Sequence, residues 1–226
     1  MNVKLLSIET STEACSAALL VDNEIIDRFE VAPRKHNELI LPMCEQVLAE
    51  GGVSRNELDA IAFGCGPGAF TGVRIAASVT QGIAIAYELP VIPVSTLENL
   101  ASQADAGAGE FILPAIDARM DEIYWAIFQK NSNNRLILHL PEQVQEPEKI
   151  EHLGVEVCHA LGSGWGAYEA ILRKKIRINS SNISSNALPR ASNAAELAKV
   201  KFLDGEMVNA ENALPVYLRN NVVHRN

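Results

Sequence analysis

The amino-acid sequence predicts the same order of secondary-structure elements twice, once in residues 1–106 and again in residues 107–226. Three consecutive strands joined by short turns open each half. A helical segment, a further strand, a glycine-containing loop and a helix then follow in both. Ile8-Glu9-Thr10 therefore occupies the place in the first half that Ile116-Asp117-Ala118 occupies in the second. A chain with this internal repeat can bury its apolar faces only as two similar layered units.

Such a duplicated unit predicts an α/β protein of two similar lobes, each with a mixed β-sheet flanked by helices. The expected lobes are residues 1–106 and a smaller one at residues 107–226. The actin, hexokinase and Hsp70-ATPase architecture, an actin-like and ribonuclease H-like fold, has this plan. In that architecture the hairpin after the first strand of each lobe holds phosphate. Ligands and partners of layered α/β folds bind near the carboxyl ends of the strands.

The charge balance restricts the partners of the chain. The chain has 19 Lys and Arg residues and 28 Asp and Glu residues, which gives a net charge of −9. An acidic protein repels phosphate backbones, so this chain alone is not expected to hold nucleic acid. The sequence shows no signal peptide and no apolar stretch that could span a bilayer, and its four cysteines form no CxxC pair. We expect a cytoplasmic protein with reduced thiols and no metal site.

The glycine loop GCGPGAFTG, residues 64–72, is the first candidate site. It follows a predicted strand and opens a helix, where bare amides can bind an anion. The candidate cofactor-binding residues are Gly66, Gly68, Thr71, Gly72 and Arg74. The loop lacks the last glycine of a dinucleotide fingerprint and the GK[ST] ending of a Walker A loop. A close-packed structural turn and a phosphate cradle therefore both remain open.

Glu9 and Asp117 form a second candidate site, because they stand at matching strand ends of the two halves. In an ATP-dependent small-molecule kinase of actin-like fold, such carboxylates would hold Mg²⁺ or act as a base. Thr-Ser-Thr follows Glu9, however, and the second hairpin reads DARMDE without a glycine. The kinase is the alternative function, and the sequence disfavours it. The five histidines are scattered without metal-ligand spacing, and we predict no catalytic residue and no metal ligand.

The helix predicted at residues 71–87 is unusual because it carries no charge between Arg74 and Glu88. A helix that is apolar or small all round must be covered on every side. We predict a partner interface on this helix, at Ala76 and Ala84, and on the helix before it, at Leu39, Met43 and Val47. That earlier helix is expected to begin close to Pro42 or to kink there. A helix buried within one subunit is an equally good interpretation of the same pattern.

Five segments together resemble the TsaB (YeaZ) family over nearly the whole chain: IETSTEACSAAL, RKHNELILPM, GPGAFTGVR, IDARMDEIYWA and the closing PVYLRN. The resemblance implies a non-catalytic scaffold and activator in the formation of N6-threonylcarbamoyladenosine at position 37 of tRNAs that read ANN codons. The catalytic paralogue TsaD carries a metal-binding His-x-x-x-His. Thr96 and Leu100 stand at those two positions here, and neither side chain can replace an imidazole ligand. Glu9 stands where the family usually has Asp.

The resemblance also implies partners. The N-terminal lobe would bind a TsaD homologue as a heterodimer, and the pair would recruit a TsaE-type ATPase. The chain alone would form a homodimer, and tRNA would be recognised only through the complex. No cofactor is expected on this chain alone, and a nucleotide at the heterodimer boundary is left open.

Overall fold

The protein is described here by a computed structural model that covers residues 3–151, 153–178 and 180–219. The chain divides into two compact units. The first comprises the described residues up to Ser102 together with Leu188–Pro215. The second comprises Gln103–Ala187 and the described residues from Val216 onwards.

The first unit is built on a five-stranded mixed sheet in the order β3-β2-β1-β4-β5. The first three strands form an antiparallel meander, and β4 and β5 continue the sheet in parallel. Short turns that follow alternating apolar residues explain the meander, as the sequence predicted. The bounds are β1 Lys4–Glu9, β2 Ala14–Val21, β3 Glu24–Val31, β4 Ala60–Gly66 and β5 Val91–Ser95.

Helices cover both faces of this sheet. Its three N-terminal helices are α1 His36–Glu50, α2 Phe70–Tyr87 and α3 Thr96–Ser102. Leu6 and Ile8 of β1 share a core with α1 and α2, whereas Leu5 faces the opposite core. Helix α1 begins at His36 and continues through Pro42, so a start near that proline, one of the two expectations, is wrong, and a kink there stays a prediction. Pro42 has no N–H to donate to the carbonyl group one helical turn earlier. Because Pro42 is exposed, water can bond that carbonyl group instead.

The second unit repeats the topology. Its strands are β6 Phe111–Arg119, β7 Glu122–Lys130, β8 Leu136–Gln145, β9 Val157–Leu161 and β10 Ile183–Ser184. Their order is β10-β9-β6-β7-β8. It matches the first sheet written from β5 to β3, with the strands β6 to β10 in the places of β1 to β5. The main helix is α4, Ser163–Lys175, and a 3₁₀ turn at Pro147–Lys149 stands where the first unit has α1. The two mixed sheets flanked by helices agree with the predicted actin-like fold.

The last helix returns to the first unit. Helix α5, Ala191–Leu203, follows β10 in the chain but packs on the first sheet. Four fully buried alanines at helical spacing face the core formed by Leu5, Ala18 and Ala62; they are Ala191, Ala194, Ala195 and Ala198. The division of the structure therefore differs from the expected 1–106 and 107–226, because this alanine face is buried only against the N-terminal sheet.

Candidate functional site

The end of β1 and the glycine loop pack directly against each other in the first unit. The amide of Ala69 donates to the carbonyl oxygen of Ser11 at 2.7 Å. The hydroxyl of Thr10 donates to the carbonyl oxygen of Gly72 at 2.8 Å. Thr10 and Ser11 are fully buried. This turn therefore closes on the chain itself, at the place where an actin-like lobe would hold phosphate.

Two glycines of the loop are required by this close approach. A Cβ atom on Gly68 would lie 2.4 Å from the carbonyl oxygen of Ser11, and one on Gly72 would lie 2.1 Å from that of Thr10. Both distances are far below van der Waals contact, and the opposing atoms belong to backbone. The glycines thus allow two segments of backbone to touch, which favours the interpretation of a structural turn.

The remaining loop candidates lie apart from this contact. Gly66 is buried in β4, with a φ of 106° that favours glycine. Thr71 and Arg74 are exposed on α2, and the Arg74 guanidinium lies 3.3 Å from the centroid of the Phe70 ring. A role of these five residues in binding a cofactor stays a prediction.

Glu9 is fully buried at the end of β1. One carboxylate oxygen accepts the amide of Ser11 at 2.7 Å, and the other lies 3.4 Å from the side-chain nitrogen of Asn99. Burial raises the pKa of Glu9 above its ordinary 4.5, and hydrogen bonds from Ser11 and Thr10 oppose that shift only in part. A Cβ atom on Gly64 would lie 2.2 Å from the carboxylate, so the group is enclosed by backbone. A carboxyl whose pKa is raised by burial and that is enclosed by backbone is poorly suited to bind Mg²⁺.

Asn99 connects this carboxyl to the returning helix. Its side-chain nitrogen donates to the carbonyl oxygen of Arg190 at 2.9 Å, and its side-chain oxygen accepts the Arg190 amide at 3.1 Å. Thr96 and Leu100, which flank Asn99 on α3, are both fully buried. The two positions that the resemblance sets against the metal-binding histidines of TsaD are therefore part of the packed interior. Sequence reasoning missed Asn99 and Arg190, since nothing local marks a contact across 91 residues.

The matching strand end of the second unit is a tight turn. Arg119, Met120 and Asp121 all have φ between 56° and 60°, a left-handed conformation that is uncommon outside glycine. The guanidinium of Arg219 donates to the carbonyl oxygens of Ala118 and Arg119, and it pairs with the carboxylate of Glu122. Arg219 belongs to the PVYLRN segment, whose function the sequence alone did not indicate.

Four of the five residues predicted for the partner interface are buried within the first unit. Met43, Val47, Ala76 and Ala84 are at most 7 % exposed and belong to one hydrophobic core. Leu39 is half-buried and packs against the same core. The four buried side chains cannot meet a partner, which corrects the prediction. They face the sheet because α1 and α2 need an apolar stripe to pack on it.

The opposite face of α2 is exposed and nearly uncharged. Its outward positions recur three and four residues apart along the helix, at Thr71, Arg74, Ser78, Gly82 and Ile85. Ile85 is 68 % exposed. A Cβ atom on Gly82 would meet no described atom within 4 Å, although glycine inside a helix is destabilising. The fold of this chain therefore does not explain why glycine stands there.

Leu41 of α1, a helix that packs in the same core as α2, is an apolar side chain that is 49 % exposed. We call the exposed residues Leu41, Thr71, Ser78, Gly82 and Ile85 the α2 face. The helix pair that the sequence indicated is thus retained as a candidate interface, but through different residues. The signal that identifies them is the helical phase, which becomes visible only once the buried stripe is known.

Two further observations bear on the class of protein. Among the described helices, none is both long enough and apolar enough to cross a membrane. Within the same described residues, no three His, Cys, Asp or Glu side chains stand where they could share a metal ion.

Comparisons with known proteins agree with one another. The model of the family "TsaD: tRNA N6-adenosine threonylcarbamoyltransferase" matches residues 28–226. The tRNA threonylcarbamoyladenosine biosynthesis protein TsaB of Haemophilus influenzae is 41% identical, over 98% of this chain and 95% of its own length. TsaB of Escherichia coli K12 is 39% identical, over 97% and 96%. The solved structure of YeaZ from Pseudomonas aeruginosa is similar with a TM-score of 0.86 and 43% identity, over 96% of this chain and all of that one.

Proposed function

The chain belongs to the TsaB family of tRNA threonylcarbamoyladenosine biosynthesis proteins, and we propose that it is the non-catalytic subunit that binds and activates a TsaD-type transferase. The modified product would be N6-threonylcarbamoyladenosine at position 37 of tRNAs that read ANN codons. The observation that carries the proposal is the near full-length similarity to two TsaB proteins, together with an exposed helix face that the chain's own fold leaves uncovered. Since bacterial tRNA is modified in the cytoplasm, the proposed location of this chain is the cytoplasm.

The absence of catalysis by this chain is supported by the interior of the first unit. Thr96 and Leu100 offer no metal ligand and are enclosed by the core. Glu9 is buried beneath backbone, and the glycine loop packs on Thr10 and Ser11. These contacts also disfavour the alternative of an actin-like kinase, since a nucleotide phosphate would need the space that the chain already fills.

Binding to the TsaD-type partner is assigned to the α2 face. From Ile75 to Tyr87 the helix carries no charged residue, so its outward side offers water few good contacts. Small residues such as Ser78 and Gly82 let another helix approach closely, while Ile85 and Leu41 supply apolar area. The same surface would pair two copies of this chain when the partner is missing. The heterodimer would then recruit the TsaE-type ATPase, and tRNA would bind only to the assembled complex.

Co-purification with a TsaD homologue, followed by threonylcarbamoylation of a tRNA transcript, tests the proposal. Product should form with both proteins and fall to background when this chain is omitted. Ile85→Glu should abolish co-purification while the thermal unfolding of the isolated chain stays nearly unchanged, because the side chain is exposed.

Two control variants identify the cause of that loss. Ile137→Glu introduces the same charge at a half-exposed isoleucine of β8 and should leave the complex intact. Ala84→Glu places a carboxylate in the core next to Ile85 and should unfold the chain, at a cost of about 3–5 kcal/mol for a trapped charge. If Ile85→Glu still co-purifies, the interface lies elsewhere; if product forms without this chain, the proposed role is wrong.

A further inference from the structure

A cluster of cations ends helix α4 in the second unit. Arg173, Lys174 and Lys175 form its last turn, and Arg177 follows just beyond it. All four side chains are exposed. Cations in the last turn of a helix interact favourably with the helix dipole. That interaction fades beyond the last turn, so it does not account for Arg177. We call these four residues the α4 cluster.

The cluster is not neutralised by neighbouring acids. Arg173 pairs with Glu169, with 2.7 Å between its Nε and a carboxylate oxygen. Lys174, Lys175 and Arg177 make no ion pair with any described residue. The sequence has no Asp or Glu between Glu169 and Glu196, although the chain as a whole is strongly acidic. Three cations on this surface therefore keep their full charge for an external anion.

The cluster is also held in place by the core. Leu172 is fully buried and Ile176 is 3 % exposed, and both belong to the hydrophobic core of the second unit. Leu172 precedes the three cations of the last turn and Ile176 separates them from Arg177, so the backbone under the cluster is fixed while the charged ends reach solvent. A fixed row of cations loses less entropy on binding a regularly charged polymer than a mobile tail would.

The distribution of charge between the units favours one class of partner. The net charge of −9 divides into −8 for the first unit and −1 for the second. A polyanion that approaches the protein is repelled mainly by the first unit, and the α4 cluster is the region of the second unit with the greatest local excess of cations. Resting on the proposed function, we propose that the α4 cluster binds the phosphate backbone of tRNA when tRNA is held by the complex of this chain with its TsaD-type partner.

The contact would be electrostatic and independent of base sequence. Each lysine or arginine that neutralises a phosphate releases a condensed counterion, so its contribution appears in the salt dependence of binding. Three unpaired cations can add only a few contacts. They can therefore orient and hold a tRNA that the partner also binds, but they cannot make this acidic chain a tRNA-binding protein by itself.

The test compares two double variants of this chain, each assembled with the TsaD homologue. Lys174→Gln/Lys175→Gln removes two unpaired cations. The matched control, Lys4→Gln/Lys149→Gln, removes two lysines that Glu57 and Glu146 already neutralise, and it changes the net charge equally. The affinity for an unmodified tRNA transcript is measured between 50 and 200 mM salt. We expect the slope of log affinity against log salt to become shallower by about 1.5 in the cluster variant, with affinity about tenfold weaker near 0.1 M.

The control should retain the wild-type slope. In the modification assay, the tRNA concentration that gives the half-maximal rate should rise in the cluster variant and stay at the wild-type value in the control. An unchanged slope in the cluster variant, with a functional wild-type complex, would overturn this inference and leave the proposed function intact. Failure of the cluster variant to assemble with the TsaD homologue would mean that the surface meets protein, which also overturns it. A wild-type complex that forms but modifies no tRNA would instead refute the proposed function.

Discussion

Substitution of Gly82 by alanine should stabilise the isolated chain against unfolding and lower its affinity for the TsaD homologue. Gly82 lies within α2, and an added Cβ would meet no described atom within 4 Å. Alanine is about 0.8–1.0 kcal/mol more favourable than glycine inside a helix, and nothing in the first unit opposes that gain. For a chain of this length the melting temperature should rise by about 2–4 °C. Circular dichroism of the isolated protein measures this part at a concentration low enough that the chain is monomeric, because a homodimer would use the same surface.

The same methyl group should be unfavourable in the complex. If a partner helix packs on the α2 face at Gly82, the added carbon has no space there, and overpacking typically costs about 1–3 kcal/mol. Affinity for the TsaD homologue should fall by about five- to 150-fold, as measured by titration calorimetry. We expect Gly82→Ala to raise the stability of the isolated chain and to lower its affinity for the partner, because only a close contact from outside the chain favours glycine at this position.

Ser78→Ala is the matched control, since Ser78 lies one turn earlier on the same exposed face and already has a Cβ atom. It should change stability and affinity little. If Gly82→Ala stabilises the chain and leaves affinity unchanged, the partner does not approach α2 at Gly82. If it destabilises the isolated chain, the helix face is covered within the monomer, and the reasoning from its exposure is wrong.

Three further outcomes test the interior and the charge of the chain. Burial raises the pKa of Glu9, so the stability tied to its proton is complete below the unfolded pKa of 4.5 and is lost as pH rises through the folded pKa. Urea unfolding between pH 5 and 8 should therefore show Glu9→Gln gaining on wild type by up to about 1.4 kcal/mol per pH unit, whereas a constant difference would contradict this. Gly72→Ala should destabilise by about 1–3 kcal/mol in the same assay, because its Cβ would lie 2.1 Å from the carbonyl oxygen of Thr10; a melting temperature at or above wild type would contradict the close packing. The isolated wild-type chain should bind tRNA only weakly at physiological salt, given its net charge of −9, and submicromolar binding in a filter assay would refute that.

The repeated topology and the strands of the meanders could be predicted from the sequence. The period of the apolar residues, the turn residues and the glycines act over a few positions, and such local preferences survive into the fold. The strands that the sequence predicts at residues 14–21 and 24–31 agree residue for residue with β2 and β3. The glycine loop was also located correctly, although the sequence left open whether its glycines serve a ligand or the chain's own backbone.

Local patterns were thus enough to predict the order of elements as far as α4, except for a helical segment before β9 that is only a 3₁₀ turn, together with the duplicated α/β class and, through the motifs, the family. Which side of α2 is buried became clear only from the tertiary structure, because the helix has no charged residue after Arg74 to mark its outer side, and Ala76 and Ala84 resemble their exposed neighbours in type. The tertiary structure also decided the return of α5 to the first unit and the contact of Asn99 with Arg190, which join residues far apart in the chain. Local patterns cannot encode such pairings, since they arise only when separate apolar faces compete to be buried together.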